Sequence, residues 1–182
     1  MNRRKTVLYI GMSLDGYIAD KNGGVGWMGG HDASTEDPGS YPAFIQTVDT
    51  VIMGWATYHQ VTTELSPDEW VYPGLDTWVI THRKLPADDH DQIRFTDQDP
   101  CGLVKDLLSQ DGKDIWICGG AGIVQQLLRE DLIDTFYISV IPALLGEGIR
   151  LFQGPGREKK LRLVKSQSYN GVTDLVYERR SR

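Results

Sequence analysis

Apolar positions along this chain fall into two rhythms. Thr6 to Met12, Thr50 to Met53, Thr77 to Thr81, Ile115 to Cys118 and Thr135 to Ile141 are compact, β-rich runs that predict strands. Ile93-Arg94-Phe95 adds a shorter one, and Tyr17-Ile18-Ala19 resumes the first after a turn at Ser13 to Gly16. Helical spacing marks Phe44, Ile45 and Val48 within Ser40 to Val48, and Leu103, Val104, Leu107 and Leu108 further on. Ile123 to Arg129 predicts another helix and Ala56 to Val61 a short one. Between these elements lies Asp20 to Gly39, with six glycines and little periodicity. It predicts a long loop, and long loops in compact domains are usually functional or mobile.

The end of the chain changes character. Leu161 to Tyr169 and Val172 to Arg179 flank Asn170-Gly171, the strongest short signal for a β-hairpin. Strands alternating with helices, closed by an antiparallel hairpin, predict an α/β fold with a mainly parallel sheet and a mixed edge. No repeat, low-complexity tract or linker interrupts the pattern. One domain over residues 1–182 is expected, long enough to bury a core without staples.

Composition narrows the function classes. Hydrophobic residues make up 40% of the chain, too many for a disordered one. No stretch approaches the roughly 20 apolar residues that cross a bilayer. The basic start, Met1 to Lys5, is followed by a short apolar run and then Asp15, which does not read as a secretory signal, so a cytoplasmic address is expected. Cys101 and Cys118 stand alone, and His31, His59, His82 and His90 form no metal signature, so no metal is expected. The net charge of −6 lacks the basic footprint of a nucleic-acid binder. An anionic ligand therefore requires local positive charge and backbone N–H groups.

Four segments carry candidate chemistry. In Trp116 to Leu128, an apolar strand runs into Gly119, Gly120, Ala121 and Gly122 before a helix. Such a turn presents free amides to a phosphate, with the helix dipole favouring negative charge. It matches neither common glycine-rich fingerprint, because Gln125 stands where the last glycine of one would be, so a plain tight turn remains the other reading. Val51 to Tyr58 repeats the strand–glycine–helix pattern: Gly54 permits close approach, and Thr57 is either a ligand hydroxyl or a cap. Trp78 to Lys84 ends a strand in Thr81, His82, Arg83 and Lys84, suited to a phosphate or simply a solvated turn. Asp15-Gly16 is a turn, or a carboxylate at a strand end beside the long loop. Several of these signals fall at the ends of strands, where ligands bind in open α/β sheets.

Taken in order, SLDGYIA, VIMGWATY, VITHRK, WICGGAGIVQQLL and YISVIPALLGEGIRLF resemble the dihydrofolate reductase superfamily. More closely, they are similar to stand-alone relatives of the C-terminal reductase domain of RibD, the riboflavin-biosynthesis deaminase-reductase. The resemblance runs from about Thr6 to the end. It implies a central, mainly parallel sheet of about eight strands with flanking helices, the cofactor NADPH and a homodimer. By motif position it implies that Gly54 and Thr57 meet the cofactor near its phosphates. Thr81, His82 and Arg83 would lie by the adenosine 2′-phosphate, with Lys84 as a helper. Gly119, Gly120, Ala121, Gly122, Ile123 and Val124 would bind the pyrophosphate.

Two departures qualify the resemblance. Trp55 stands where dihydrofolate reductases place a basic residue after the glycine. Their acidic residue on the first helix falls here near Ser40 or Tyr41, with Asp37 and Asp49 the nearest carboxylates. The companion deaminase signature is absent too, because Pro100-Cys101 is followed by Gly102-Leu103-Val104. The expected activity is an NADPH-dependent reductase acting on a small heterocycle, a ribosylated aminopyrimidine such as 5-amino-6-(5-phosphoribosylamino)uracil. The alternatives are dihydrofolate or pterin reduction and a non-catalytic NADPH-binding module. Asp15 is the candidate for substrate contact or proton delivery, Glu147 the second, with the Asp20 to Gly39 loop as a lid.

Overall fold

A computed structural model describes residues 3–35, 37–84, 92–154 and 156–180. The strands are β1 (Thr6–Ser13), β2 (Tyr17–Ala19), β3 (Val48–Gly54), β4 (Asp76–Ile80), β5 (Ile93–Thr96), β6 (Asp114–Gly119), β7 (Thr135–Ile141), β8 (Ile149–Arg150), β9 (Leu161–Tyr169) and β10 (Val172–Arg179). The helices are α1 (Tyr41–Ile45), α2 (Trp55–Gln60), α3 (Pro100–Leu108) and α4 (Ala121–Arg129). Eight strands form one sheet in the order β5-β4-β3-β6-β1-β7-β10-β9, parallel from β5 to β7 and antiparallel across β7-β10-β9. The expected mainly parallel α/β sheet with an antiparallel edge is what the chain forms.

Period-two alternation divides the core between the two faces. Leu8, Ile52, Ile115 and Ile117 pack on Leu103, Val104 and Leu107 of α3 and on Ile123, Val124 and Leu127 of α4. Val7, Val51, Met53, Val79 and Trp116 pack on the other side with Phe44 of α1. A parallel sheet covered on both faces explains why its strands read as near-continuous apolar runs. α3 begins cleanly because the Asp99 side chain accepts from Gly102 N at 2.9 Å and Pro100 opens the first turn. The β9–β10 hairpin turns through Asn170 (φ 44°) and Gly171 (φ 78°), the paired positive φ values that a two-residue turn requires.

Two details were not predicted. The second helix starts at Trp55, not Ala56, and beyond Gln60 it continues as a π-helical turn over Val61–Leu65. There the hydroxyls of Thr62 and Thr63 donate to Tyr58 O at 3.0 Å and His59 O at 2.7 Å, which serves carbonyls of the widened turn. The short β8 pairs antiparallel with β2 as a separate ribbon, too short to leave a sequence signal.

The long loop is irregular as expected, and it is fastened. Its later part docks on the hairpin tip. His31 N donates to Asn170 O at 3.0 Å, Asp32 N to Asn170 Oδ1 at 3.0 Å, and Asn170 Nδ2 to Asp32 O at 2.9 Å. Gly39 has φ +57°, and a Cβ there would overlap the Tyr169 ring. Its earlier part is tied to the second helix by Gln60 Nε2, which donates to Gly23 O at 2.9 Å.

Candidate active site

The order β3-β6-β1 brings the C-terminal ends of three strands together where the chain's direction of travel across the sheet reverses. At the first end, Gly54 caps α2; at the second, Gly119 (φ +132°) and Gly120 lead into α4, joined by a cis peptide bond. The two turns face each other. A Cβ on Gly54 would lie 3.9 Å from Gly120 N and 3.4 Å from Ile123 Cδ1, and one on Gly120 would lie 3.9 Å from Thr57 Oγ1. Two segments distant in sequence thus bring their glycines and the Thr57 hydroxyl to one place.

Within the glycine turn, the amides divide by role. Ile123 N and Val124 N donate to Gly120 O at 3.1 and 3.2 Å, so both are closed within the helix, and both side chains are buried. Ala121 and Gly122, at the head of the helix, carry the orphan donors of the first turn. Nothing lies within 4 Å of a Cβ placed on Gly122, so a ligand can approach there. The positive end of the α4 dipole adds to that attraction for an anion.

The basic segment after β4 is split. Thr81 is buried, and its Oγ1 accepts from Arg83 N at 3.1 Å, which shapes the turn. Arg83 places its guanidinium 5.1 Å from the centroid of the Trp55 ring, and His59 stacks on the same indole at 5.5 Å. Trp55, Thr57 and His59 line the cavity described next, so Arg83 stands at its edge. His82 and Lys84 are exposed and do not line it.

That cavity encloses roughly 1110 Å³ and runs from the glycine turns to an aromatic wall. The wall comprises Tyr9, Tyr41, Tyr72, Trp116 and Cys118, with Asn22, Gly23, Val25 and Met28 contributed by the long loop. Trp116 and Cys118 alternate with Ile115 and Ile117 on β6, which puts them on the α1 face. Trp116 is held by edge contacts to Tyr72 (centroids 4.9 Å) and Tyr41 (6.0 Å), and its Nε1 donates to Tyr9 O at 3.0 Å. Burial pushes the Tyr41 hydroxyl and the Cys118 thiol up to about 12 and about 11, and raises Tyr72 and Tyr9 as well. The wall is therefore uncharged at neutral pH.

The candidate carboxylates take other places. Asp15 does not line the cavity. It accepts from Ser13 Oγ at 2.6 Å, Gly146 N at 2.7 Å and Leu145 N at 3.1 Å, clamping the loop after β7 to the end of β1. The Ser13 bond, with the amides of Gly146 and Leu145, holds its carboxyl down to about 2. That environment suits an acceptor fixing a loop. Glu147 is exposed and pairs with Lys21 at 2.8 Å. Asp49 lies with Arg4 at the opposite, N-terminal end of β3, and its Oδ2 accepts from Lys113 N at 2.7 Å. Asp37 caps a local turn at Gly39 N, 2.8 Å away. The place near Ser40 and Tyr41 holds no carboxylate: Ser40 is buried with its Oγ 3.1 Å from Tyr9 OH, and Tyr41 faces the cavity.

Sequence reasoning missed the aromatic wall and a buried carboxylate behind it. Asp174 is fully buried on β10, where it accepts from Ser139 Oγ at 2.6 Å, Tyr169 OH at 3.1 Å and Gln167 Nε2 at 3.2 Å. A signal existed: Val172, Asp174 and Val176 share one face by alternation, so the carboxylate had to be buried with its neighbours. Among the described residues, no cluster of histidine, cysteine or carboxylate side chains is arranged to hold a metal, and no helix is long and apolar enough to cross a membrane.

Facing glycine turns at a sheet's switch point, with a cavity beside them, define an α/β protein whose cavity lies at the strand ends, where open sheets take their ligands. Comparison with known proteins says which one. A profile of the RibD C-terminal domain matches residues 59–175, and the chain belongs to that family, whose reductases use NADPH. YwjB of Bacillus subtilis (strain 168), described as uncharacterized, is 39% identical over 177 residues, covering 97% of this chain and 98% of that one. A solved structure from Shewanella sp. PV-4, which carries a provisional riboflavin-biosynthesis name, is 28% identical with a TM-score of 0.83 over 97% of this chain and 99% of that one. The Thermotoga maritima diaminohydroxyphosphoribosylaminopyrimidine deaminase/5-amino-6-(5-phosphoribosylamino)uracil reductase shares the fold at 15% identity and a TM-score of 0.67. The alignment covers 97% of this chain and 57% of that bifunctional one.

Proposed function

We propose that this protein is an NADPH-dependent reductase that transfers hydride to a small heterocycle of the aminopyrimidine kind reduced in riboflavin synthesis. The observation that carries the reading is the approach of Gly54 to Gly120 beside Thr57, in the lining of one cavity with an aromatic wall. The residues fit the cofactor. Gly120, Ala121 and Gly122 offer amides and a helix dipole for a diphosphate. Arg83 offers a guanidinium for a further phosphate, and Trp55 a ring face beside it.

The bound cofactor supplies hydride chemistry. The chain binds, orients and excludes water. The loop segment from Asn22 to Met28 covers the cavity, so substrate would react out of bulk solvent. Tyr41 and Tyr72, kept neutral by burial, are hydroxyls along that wall able to donate a hydrogen bond. The absence of a carboxylate at Ser40 and Tyr41 argues against pterin protonation of the dihydrofolate reductase kind. A homodimer is part of the same reading, with the outer strand β9 and its half-exposed Leu163 and Val164 offered to a second copy.

Calorimetric titration with NADPH, followed by loss of reduced-nicotinamide absorbance with 5-amino-6-ribosylaminouracils and pterins, tests the proposal. Binding of NADPH with turnover of a pyrimidine supports it. Binding without turnover of any heterocycle identifies a binding module instead.

A further inference from the structure

The family resemblance points to a substrate bearing a 5′-phosphate. A phosphate dianion buried in a cleft needs a guanidinium, an ammonium or several converging amides. Among the described residues, no lysine or arginine lines this cavity. The single acid that does, Glu64, would repel a phosphate. Lys21, Arg150 and Arg83, beside lining residues in sequence or space, have other contacts. Lys21 pairs with Glu147 at 2.8 Å. Arg150 lies 4.5 Å over the Tyr17 ring and donates to Tyr17 OH at 2.9 Å. Arg83 lies on Trp55 at the glycine end, which the cofactor reading already occupies. The helix-terminal amides that suit an anion lie at that same end.

The aromatic side of the cavity offers the reverse chemistry. Tyr41, Tyr72 and Trp116 present ring surfaces at edge-on angles, and Val71 and Met28 add apolar area. Such walls favour a flat, uncharged ring, which gains from stacking and apolar contact and loses little solvation on entry.

We infer that the substrate is an uncharged, non-phosphorylated planar heterocycle, a free base or nucleoside rather than a nucleotide. The inference rests on the reductase reading for the division of the cavity into a cofactor end and a substrate end. It separates this chain from an enzyme that reduces a phosphoribosyl intermediate. In a reaction sequence, a phosphate-removing step or a nucleoside-releasing step would have to supply the substrate.

A matched pair tests it. 5-Amino-6-ribosylaminouracil and its 5′-phosphate are titrated under nitrogen into the intact protein, with and without saturating NADP⁺, by quenching of tryptophan fluorescence. NADPH is titrated separately by calorimetry. The expected result is at least tenfold tighter binding of the nucleoside than of its phosphate, in both conditions. Equal or tighter binding of the phosphate overturns the inference, as does failure of both compounds to bind while NADPH binds. Preference for the nucleoside in a protein that ignores NADPH supports the inference and overturns the reductase reading instead.

Discussion

Arg83 rests its guanidinium 5.1 Å from the ring centroid of Trp55, across the β3–β4 edge of the site. The sequence has an indole where dihydrofolate reductases carry a cation, and this contact returns a cation to the neighbourhood from a different strand. The indole gives the guanidinium a flat support, so the two act as a unit. Arg83→Ala is expected to weaken NADPH binding tenfold to a hundredfold, as a charge-assisted contact contributes roughly 1.5–3 kcal/mol. NADH binding should change little. Trp55→Ala should lose part of the same energy, and the double variant less than the sum, measured by calorimetry.

Gly122 stands in open space at the head of α4. Gly122→Asp should fold normally, because an acidic residue in the first turn of a helix is favourable. It should nonetheless abolish detectable diphosphate binding or weaken it at least tenfold. Two like charges about 6 Å apart repel by roughly 3 kcal/mol at an effective dielectric near 20. An unchanged melting temperature together with unchanged NADPH affinity would place the cofactor elsewhere.

Asp15 sets a pH dependence of stability. Its carboxyl is lowered from 3.8 to about 2 in the fold, first by Ser13 and then by the loop amides. A depressed acid stabilises the folded state above its unfolded value and loses that contribution as pH falls through the folded one. The melting-temperature gap between the native protein and Asp15→Asn should therefore be full at pH 6 and shrink between about pH 4 and pH 2. Turnover at neutral pH should persist in the variant if the loop stays in place, because the carboxylate is a fastener.

The buried Asp174 carboxylate satisfies three donors. Asp174→Ala strands Ser139, Tyr169 and Gln167 and should cost about 3 kcal/mol or more in urea unfolding. Ser139→Ala should cost about 1 kcal/mol. An Asp174→Ala protein as stable as the native one would mean that those donors find water.

The hairpin latch is separable from the turn that carries it. Asn170→Gly keeps the positive φ of the turn and removes the side-chain bonds to the loop backbone. Amide exchange at Asp32 should speed up, with little change in global stability.

How much of this was readable beforehand follows from the range of each signal. The strands, the hairpin and the strand–glycine–helix turns are local patterns, and they were legible to within a residue or two. The facing of Gly54 and Gly120 was implied by topology, because both end neighbouring parallel strands. The Arg83–Trp55 contact was not legible, since it joins turns after different strands and depends on the register Gly54 to Ile80. Tyr72 entered the wall from a segment with no periodicity at all. Asp15 was noticed as a carboxylate at a strand end, but two of its partners, Leu145 and Gly146, come from a loop some 130 positions away in the chain, beyond any local pattern.

The latch has a consequence for synthesis. The hairpin that holds His31 and Asp32 of the long loop is translated long after the loop itself. Until it emerges from the ribosome, that half of the loop and the apolar edge strand β7 lack their partner. A nascent chain stalled before Asn170 should therefore be a client for holdase chaperones, while the released one should not.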